Sequence, residues 1–278
     1  MSDPELGDRS SLFKAESVPD AYERYVAAAL FEPWAELLLD TVAVGEGAKV
    51  LDVASGTGVV ARAVARRVGA GGRVVASDFS PAMLARSEAV ELPLGSAPVE
   101  FVEASADALP FTDGAFDLVL CQQGLQFFPA QQLAVDEMRR VLRPGGAVGI
   151  AVWAAGHPLV PFGVYCEELV AVGAQPPFPR AFDVSTYEMS LESVRLLVDA
   201  AGFTEITAGV EELEVSWPDA ATAAAGVLGT PYAASLAALS TEQRQRYDAA
   251  VLSRFTVGAT GGPVRRGSAA VIVRATAP

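Results

Sequence analysis

The chain has 278 residues, 51% of them apolar, and a formal net charge of −14. That length gives one large domain, or one domain with an elaborate insertion, and the apolar fraction excludes wholesale disorder. The acidic balance argues against sequence-independent nucleic-acid binding and against an anionic membrane surface, since both call for a basic footprint. Two cysteines (Cys121 and Cys166) and one histidine (His157) are too few and too scattered for a disulfide framework or a Cys/His zinc site, so no metal is expected. No apolar run approaches the ~18 residues that span a bilayer. The first seventeen residues show no basic region followed by an apolar stretch, so no signal peptide is expected and a cytoplasmic location follows.

In chain order, "VPDAYERYVAAALFEPWAELLLDTV" reads as two helices, with Pro19 in a first turn and Pro33 interrupting the middle. "AKVLDVAS" is a short strand. Beyond Gly56 and Gly58, residues Val60, Ala61, Val64, Ala65 and Val68 fall on one helical face, with Arg62, Arg66 and Arg67 opposite. "GAGG" stops that helix, and "RVVASD" is a second strand ending at Asp78. "SPAMLARSEAV" is a helix capped by Ser80 with Pro81 at its first position. "VEFVEAS" and "FDLVLCQ" are strands, "QQLAVDEMRRVL" is a helix ended by "RPGG", and "AVGIAVW" is a strand. After Trp153 comes a proline- and aromatic-rich stretch, then a helix from Ser190 to Gly202, a long strand "TEITAGVEELEVSW", an Ala-rich helical segment from 218 to about 258, and a closing strand "GSAAVIVRATA". Strands alternating with helices predict a parallel sheet covered on both faces. Seven strands are expected, doubly wound and mostly parallel, with the last antiparallel to its neighbour and a helical insertion between the final two. Arg265 and Arg266 read as solubilising charges on an edge strand.

A glycine loop between a strand end and a helix start lets backbone approach a ligand and aims free N–H groups at it. Asp78, twenty residues beyond Gly58 and at the end of the next strand, is placed to accept the hydroxyls of a ribose. A dinucleotide wants GxGxxG for its pyrophosphate and no carboxylate nearby. Here the third glycine position holds Ala61, and Asp52 stands beside the loop. That pattern favours S-adenosylmethionine, whose sulfonium and ammonium are cationic, over a nicotinamide cofactor.

Four stretches in order, "VLDVASGTG", "VVASDFSPAML", "ALPFTDGAFDLVLCQQGLQFF" and "EMRRVLRPGGAVGIAVW", resemble the successive motifs of class I S-adenosylmethionine-dependent methyltransferases. The similarity is greatest to the branch that includes the ubiquinone/menaquinone C-methyltransferases and many natural-product methyltransferases, and it covers residues ~45–153. The resemblance implies a Rossmann-like methyltransferase fold with helical cap insertions. It also implies that Asp52, Ala54, Gly56 and Gly58 line the methionine part of the cofactor. Asp78 would hold the ribose, Phe79 and Met83 would lie beside the adenine, Ser105 and Ala106 would meet its edge, and Gln122 and Gln123 would border the transferred methyl. The chain has Ala54 where the family often has Gly, and Ser105 where it often has Asp; either Ser105 or Asp107 then meets the adenine amino group.

The implied activity is methyl transfer to a small-molecule acceptor, apolar or aromatic in character, in secondary or cofactor metabolism. The expected layout is an N-terminal helical lid (1–44), a cofactor-binding core (45–153) and a segment completing the sheet with helical caps (154–278). His157, just past a strand end and the one side chain that ordinarily titrates near neutrality, is the candidate general base. Tyr22 and Tyr25 read as lid or core, and Phe127, Phe128 and Pro129 as packing. Three rivals are a cofactor-binding protein without transferase activity, a nicotinamide-dependent oxidoreductase, and a nucleic-acid methyltransferase, which the acidic balance opposes.

Overall fold

A computed structural model describes residues 18–157, 160–174, 188–257 and 262–278. The first seventeen residues of the expected lid and positions 175–182 of the proline- and aromatic-rich stretch lie outside the described residues. The chain opens with α1 (Val18–Tyr22), a π-helix (Glu23–Phe31) and α2 (Glu32–Val42). The two helices expected here are therefore one continuous helical run. Pro33 sits in the first turn of α2, where its missing N–H costs nothing, and the change of helix type falls just before it.

Then follow β1 (Lys49–Val53), α3 (Val59–Val68), β2 (Arg73–Asp78), α4 (Pro81–Glu88) and β3 (Val99–Glu103). Next come β4 (Phe116–Gln122), α5 (Gln131–Val141), β5 (Leu142–Trp153) and α6 (Phe162–Ala171). The chain ends with α7 (Leu191–Ala200), β6 (Thr204–Trp217), α8 (Ala220–Ala225), a 3₁₀ turn (Gly226–Gly229), α9 (Ala233–Ala237), α10 (Thr241–Thr256) and β7 (Val264–Thr276). Ser80 and Ser190 cap α4 and α7 as their sequence positions predict, each accepting from a backbone N–H three residues on.

The seven strands run in the order β3-β2-β1-β4-β5-β7-β6. β1 to β5 are parallel, and β7 inserts antiparallel between β5 and β6. Period-two alternation divides the core between the two faces. Val50, Val74, Leu118 and Leu120 pack with the π-helix, α2 and α3, whereas Leu51, Val75, Val119 and Ile150 pack with α5 and α7. The buried Trp34 of α2 ties its helix to β7 by donating to Ser268 Oγ at 3.0 Å.

Two polar expectations change in three dimensions. Part of the arginine face of α3 meets the N-terminal helices: Arg67 pairs with Glu36 and Asp40 of α2, and Arg62 is turned inward onto Glu23, while Arg66 stays exposed. Arg266 lies on the part of β7 that pairs with β6 alone, since the pairing with β5 ends at Ala270, and there it serves a helix end instead of solvent. Its guanidinium donates to the carbonyls of Arg254, Phe255 and Val257 and so satisfies the C-terminal end of α10.

Candidate functional site

The strand order reverses between β1 and β4, and open α/β sheets bind ligands at the carboxyl ends of strands flanking such a reversal. A cavity of about 450 Å³ lies there, within the roughly 300–1,000 Å³ typical of small-molecule sites. Its floor comes from the carboxyl ends of β1, β2, β4 and β5, at Asp52, Asp78, Gln122 and Trp153. Its roof comes from Tyr22, Val26 and Phe31 of the N-terminal helices and from the Gly229–Pro231 turn.

The loop after β1 follows a path that L-residues rarely adopt. Ala54, Gly56 and Gly58 all have positive φ (56°, 55° and 83°). At Gly56 a Cβ would meet nothing within 4 Å, because that position faces the cavity. The Gly56 N–H donates to Asp78 Oδ2 at 2.8 Å, and the Ser80 N–H donates to Asp78 Oδ1 at 2.9 Å. One carboxylate thus fixes both the glycine loop and the start of α4. Burial raises the Asp78 pKa, and those backbone N–H groups oppose the rise.

Asp52 is buried, and its Oδ2 has no hydrogen-bond partner among the described residues. Burial, reinforced by the neighbouring Asp78 charge, pushes its pKa up to about 8, against the pull of a backbone hydrogen bond. A buried carboxylate with one oxygen unpartnered is costly. A cation held in the cavity would relieve that cost, which is the electrostatic fit S-adenosylmethionine requires. Gln122 and Gln123 complete this end. Gln122 Nε2 donates to the Phe31 carbonyl at 3.0 Å, while Gln122 Oε1 and Gln123 Nε2 are buried without partners among the described residues. Gln123 itself has φ of 54°, a strained conformation held at the cavity edge.

At the other end, Phe79 and Met83 line the wall with Ala106, and Ser105 Oγ donates to Asp107 Oδ1 at 2.5 Å. Of the cofactor residues expected from the sequence, Asp52, Ala54, Gly56, Asp78, Phe79, Met83, Ser105, Ala106, Asp107, Gln122 and Gln123 all border the one cavity. Gly58 does not. It stands one step further along as the N-cap of α3, where a Cβ would come within 2.0 Å of Ser87 Oγ. His157 is not part of the lining either: its Nδ1 stands 3.7 Å from Glu212 Oε1 of β6, with a third of the side chain exposed.

Several wall residues carried no signal of their own in the sequence. Trp153 and Phe162 join Phe31 and Tyr22 in a run of ring contacts, with centroids 5.0 Å apart for Tyr22–Phe31, 5.9 Å for Phe31–Trp153 and 6.1 Å for Trp153–Phe162. Phe127, Phe128 and Pro129, read as packing, also face the cavity. Tyr22 is in the wall, whereas the Tyr25 carbonyl accepts from Trp217 Nε1 in the core.

A profile of the ubiE/COQ5 methyltransferase family matches residues 15–220. An uncharacterized protein of Mycobacterium tuberculosis is 38% identical over 128 residues, 46% of this chain, which there spans only 45% of that protein's length. The ubiquinone/menaquinone biosynthesis C-methyltransferase UbiE of Hahella chejuensis is 35% identical over 170 residues, covering 60% of this chain and 67% of the relative. Among solved structures, a Haemonchus contortus phosphoethanolamine N-methyltransferase 2 bound to S-adenosylhomocysteine superposes with a TM-score of 0.60 at 19% identity, covering 99% of this chain and 61% of that one. The YcgJ protein of Bacillus subtilis gives 0.54 at 20% identity, covering 87% and 97%. At such identities the two structures bear on the fold, which is the seven-stranded Rossmann-like methyltransferase fold.

Proposed function

We propose that this chain, which belongs to the ubiE/COQ5 methyltransferase family and takes S-adenosylmethionine as its cofactor, passes the cofactor's methyl group to a small-molecule acceptor in the cytoplasm. The observation that carries this reading is the pairing of Asp52, buried and lacking a partner for Oδ2, with Asp78 at the ends of adjacent strands, both facing one cavity over a left-handed glycine loop. Asp52 would face the cationic methionine portion. Asp78, already holding Gly56 and Ser80 through one N–H each, keeps lone pairs on both oxygens for the ribose hydroxyls. Ser105 or Asp107 would accept from the adenine amino group, beside Phe79 and Met83.

When bound, S-adenosylmethionine supplies an electrophilic methyl on a sulfonium. The protein's part is to hold the acceptor in line with it and to exclude water. Trp153, Phe162, Phe127 and Phe128 supply an apolar wall that suits an apolar or aromatic acceptor. No histidine lines the cavity among the described residues, so this reading does not rest on an imidazole base.

Calorimetry with S-adenosylhomocysteine tests the site. Asp78→Ala removes two charge-assisted hydrogen bonds, each worth ~1.5–3 kcal/mol, and is expected to weaken binding at least tenfold; unchanged affinity overturns the ribose assignment. Incubating the protein with methyl-labelled cofactor and a metabolite extract then identifies the acceptor. Tight cofactor binding with no labelled product from any extract favours a binding protein without transfer. His157→Ala is expected to keep turnover within a few-fold, with a flat profile from pH 6 to 8. A loss of ~10²–10⁴ would instead make the imidazole a general base.

A further inference from the structure

We infer that Glu23 is a positioning residue, a latch that ties the helix roofing the cavity to the glycine loop beneath it. Its two carboxylate oxygens are both engaged: Thr57 Oγ1 donates to Oε2 at 2.6 Å, and Arg62 Nη2 donates to Oε1 at 2.7 Å. Arg62 Nη1 donates in turn to the Thr57 carbonyl. The cluster is largely enclosed, with side-chain exposures of 16% for Glu23 and 11% for Arg62, and Thr57 is fully buried. Arg62 falls opposite the apolar face of α3, so its inward turn is a feature of this cluster and not of α3's pattern.

The two ends of the latch are what give it a role. Thr57 sits between Gly56 and Gly58, whose left-handed backbone shapes the cradle, and Gly56 is bonded to Asp78. Glu23 opens the π-helix and directly follows Tyr22; Tyr22, Val26 and Phe31 wall the cavity from above. One carboxylate therefore fixes the roof relative to the floor. A largely enclosed ion pair gains little net stability over apolar packing, because desolvation offsets its attraction. Its distinctive contribution is geometric: the roof residues keep one register over the cradle. A π-helix, wider than an α-helix and frequent at functional sites, suits an element that must present side chains at set places. A second tie, Asp20 to Arg86 Nε at 2.8 Å, joins α1 to α4, but the Asp20 side chain is 81% exposed, so this tie is weakened by solvent.

The inference rests on the cofactor reading above, and the experiment separates the two. Stopped-flow dissociation of S-adenosylhomocysteine and backbone hydrogen exchange are measured for wild type, Thr57→Val, Thr57→Ser, Glu23→Gln, the double variant Glu23→Gln/Thr57→Val, and Asp20→Ala. Thr57→Val keeps the shape of the loop and removes only the hydroxyl. It and Glu23→Gln are expected to raise the dissociation rate at least tenfold, with association within threefold. The double variant is expected to lose no more than about twofold beyond the worse single change, because both cut one link. Thr57→Ser and Asp20→Ala are expected to match wild type. In Thr57→Val without ligand, exchange across residues 18–31 is expected to quicken while β6 and β7 stay unchanged. Wild-type dissociation rates and wild-type exchange in both Thr57→Val and Glu23→Gln overturn the latch. If Thr57→Val does not fold, Glu23→Gln decides by the same two readouts. Failure of the wild type to bind S-adenosylhomocysteine overturns the cofactor reading instead, and the exchange of residues 18–31 still decides the latch.

Discussion

Asp52 shows how one side chain links stability to binding. Its sequence position, four residues before Gly56, suffices to suggest a carboxylate facing a cation. What the sequence does not disclose is how far burial shifts it, since that depends on the walls closing over it from α1 and the π-helix. With a folded pKa of about 8 against an ordinary carboxylate value, the protonated form is favoured by folding. Its contribution to stability is therefore complete below about pH 4 and is lost as pH rises through about 8. The ligand-free protein is expected to melt progressively lower between pH 6 and 9, and Asp52→Asn is expected to flatten that slope, at ~2–4 °C per kcal/mol for a chain of this size. Cofactor binding has the opposite sign, because a cation stabilises the anion and expels the proton. Calorimetry at pH 6.5 in two buffers of different ionisation enthalpy is expected to show close to one proton released per S-adenosylmethionine bound, and none in Asp52→Asn. Asp78 is also raised by burial, so release that persists in Asp52→Asn would move the titration to that residue.

At the scale of elements, the βαβ unit around the glycine loop is the most legible part of the fold. The strand pattern, the helical periodicity of α3 and the Ser80-Pro81 start of α4 are all local signals, and each lies where it was read. What a local pattern cannot carry is the partner each face meets. Gly58 is the clearest case. It falls in the motif beside Gly56, yet its role in this structure is packing against α4. A Cβ there would come within 2.0 Å of Ser87 Oγ and 3.2 Å of Ser87 Cβ, and its φ is 83°. Gly58→Ala therefore meets a left-handed penalty of ~1–2 kcal/mol and an overpacking cost of ~1–3 kcal/mol. Adding Ser87→Ala is expected to recover most of the second contribution and none of the first, measured as the shift in denaturant midpoint at constant slope. Equal destabilisation with and without Ser87→Ala would place the whole cost in the backbone.

At the scale of the molecule, the legible half is the strand-helix alternation, and the illegible half is closure. Residues up to Trp153 announce their order because each strand and helix is specified by its own period. The cavity's roof is assembled from pieces remote in sequence: Tyr22 and Phe31 from the first helices, Phe162 from α6, and the turn after α8. These pieces carry no shared motif, only complementary shape. The tightest of those fits is at Gly229, where a Cβ would come within 2.5 Å of both the Cα and the N of Tyr22 and 2.8 Å of the Ala21 carbonyl carbon. Backbone meets backbone there, so no side chain can swing aside. Gly229→Ala must push the insertion away from the N-terminal helices, and those helices carry Tyr22 with them. The expected result is a loss of ~1–3 kcal/mol in stability, together with weaker S-adenosylhomocysteine binding, although residue 229 is not among those assigned to the cofactor. Gly226→Ala is the contrasting change. A Cβ there meets Tyr165 Oη at 2.4 Å, the far end of a side chain, and the site lies outside the cavity wall. It is expected to cost stability while leaving ligand affinity within about twofold. If both substitutions reduce affinity alike, the effect is general loosening of the insertion. If Gly229→Ala alone does so, the insertion holds the N-terminal helices through that single contact, and the two segments close the cavity together.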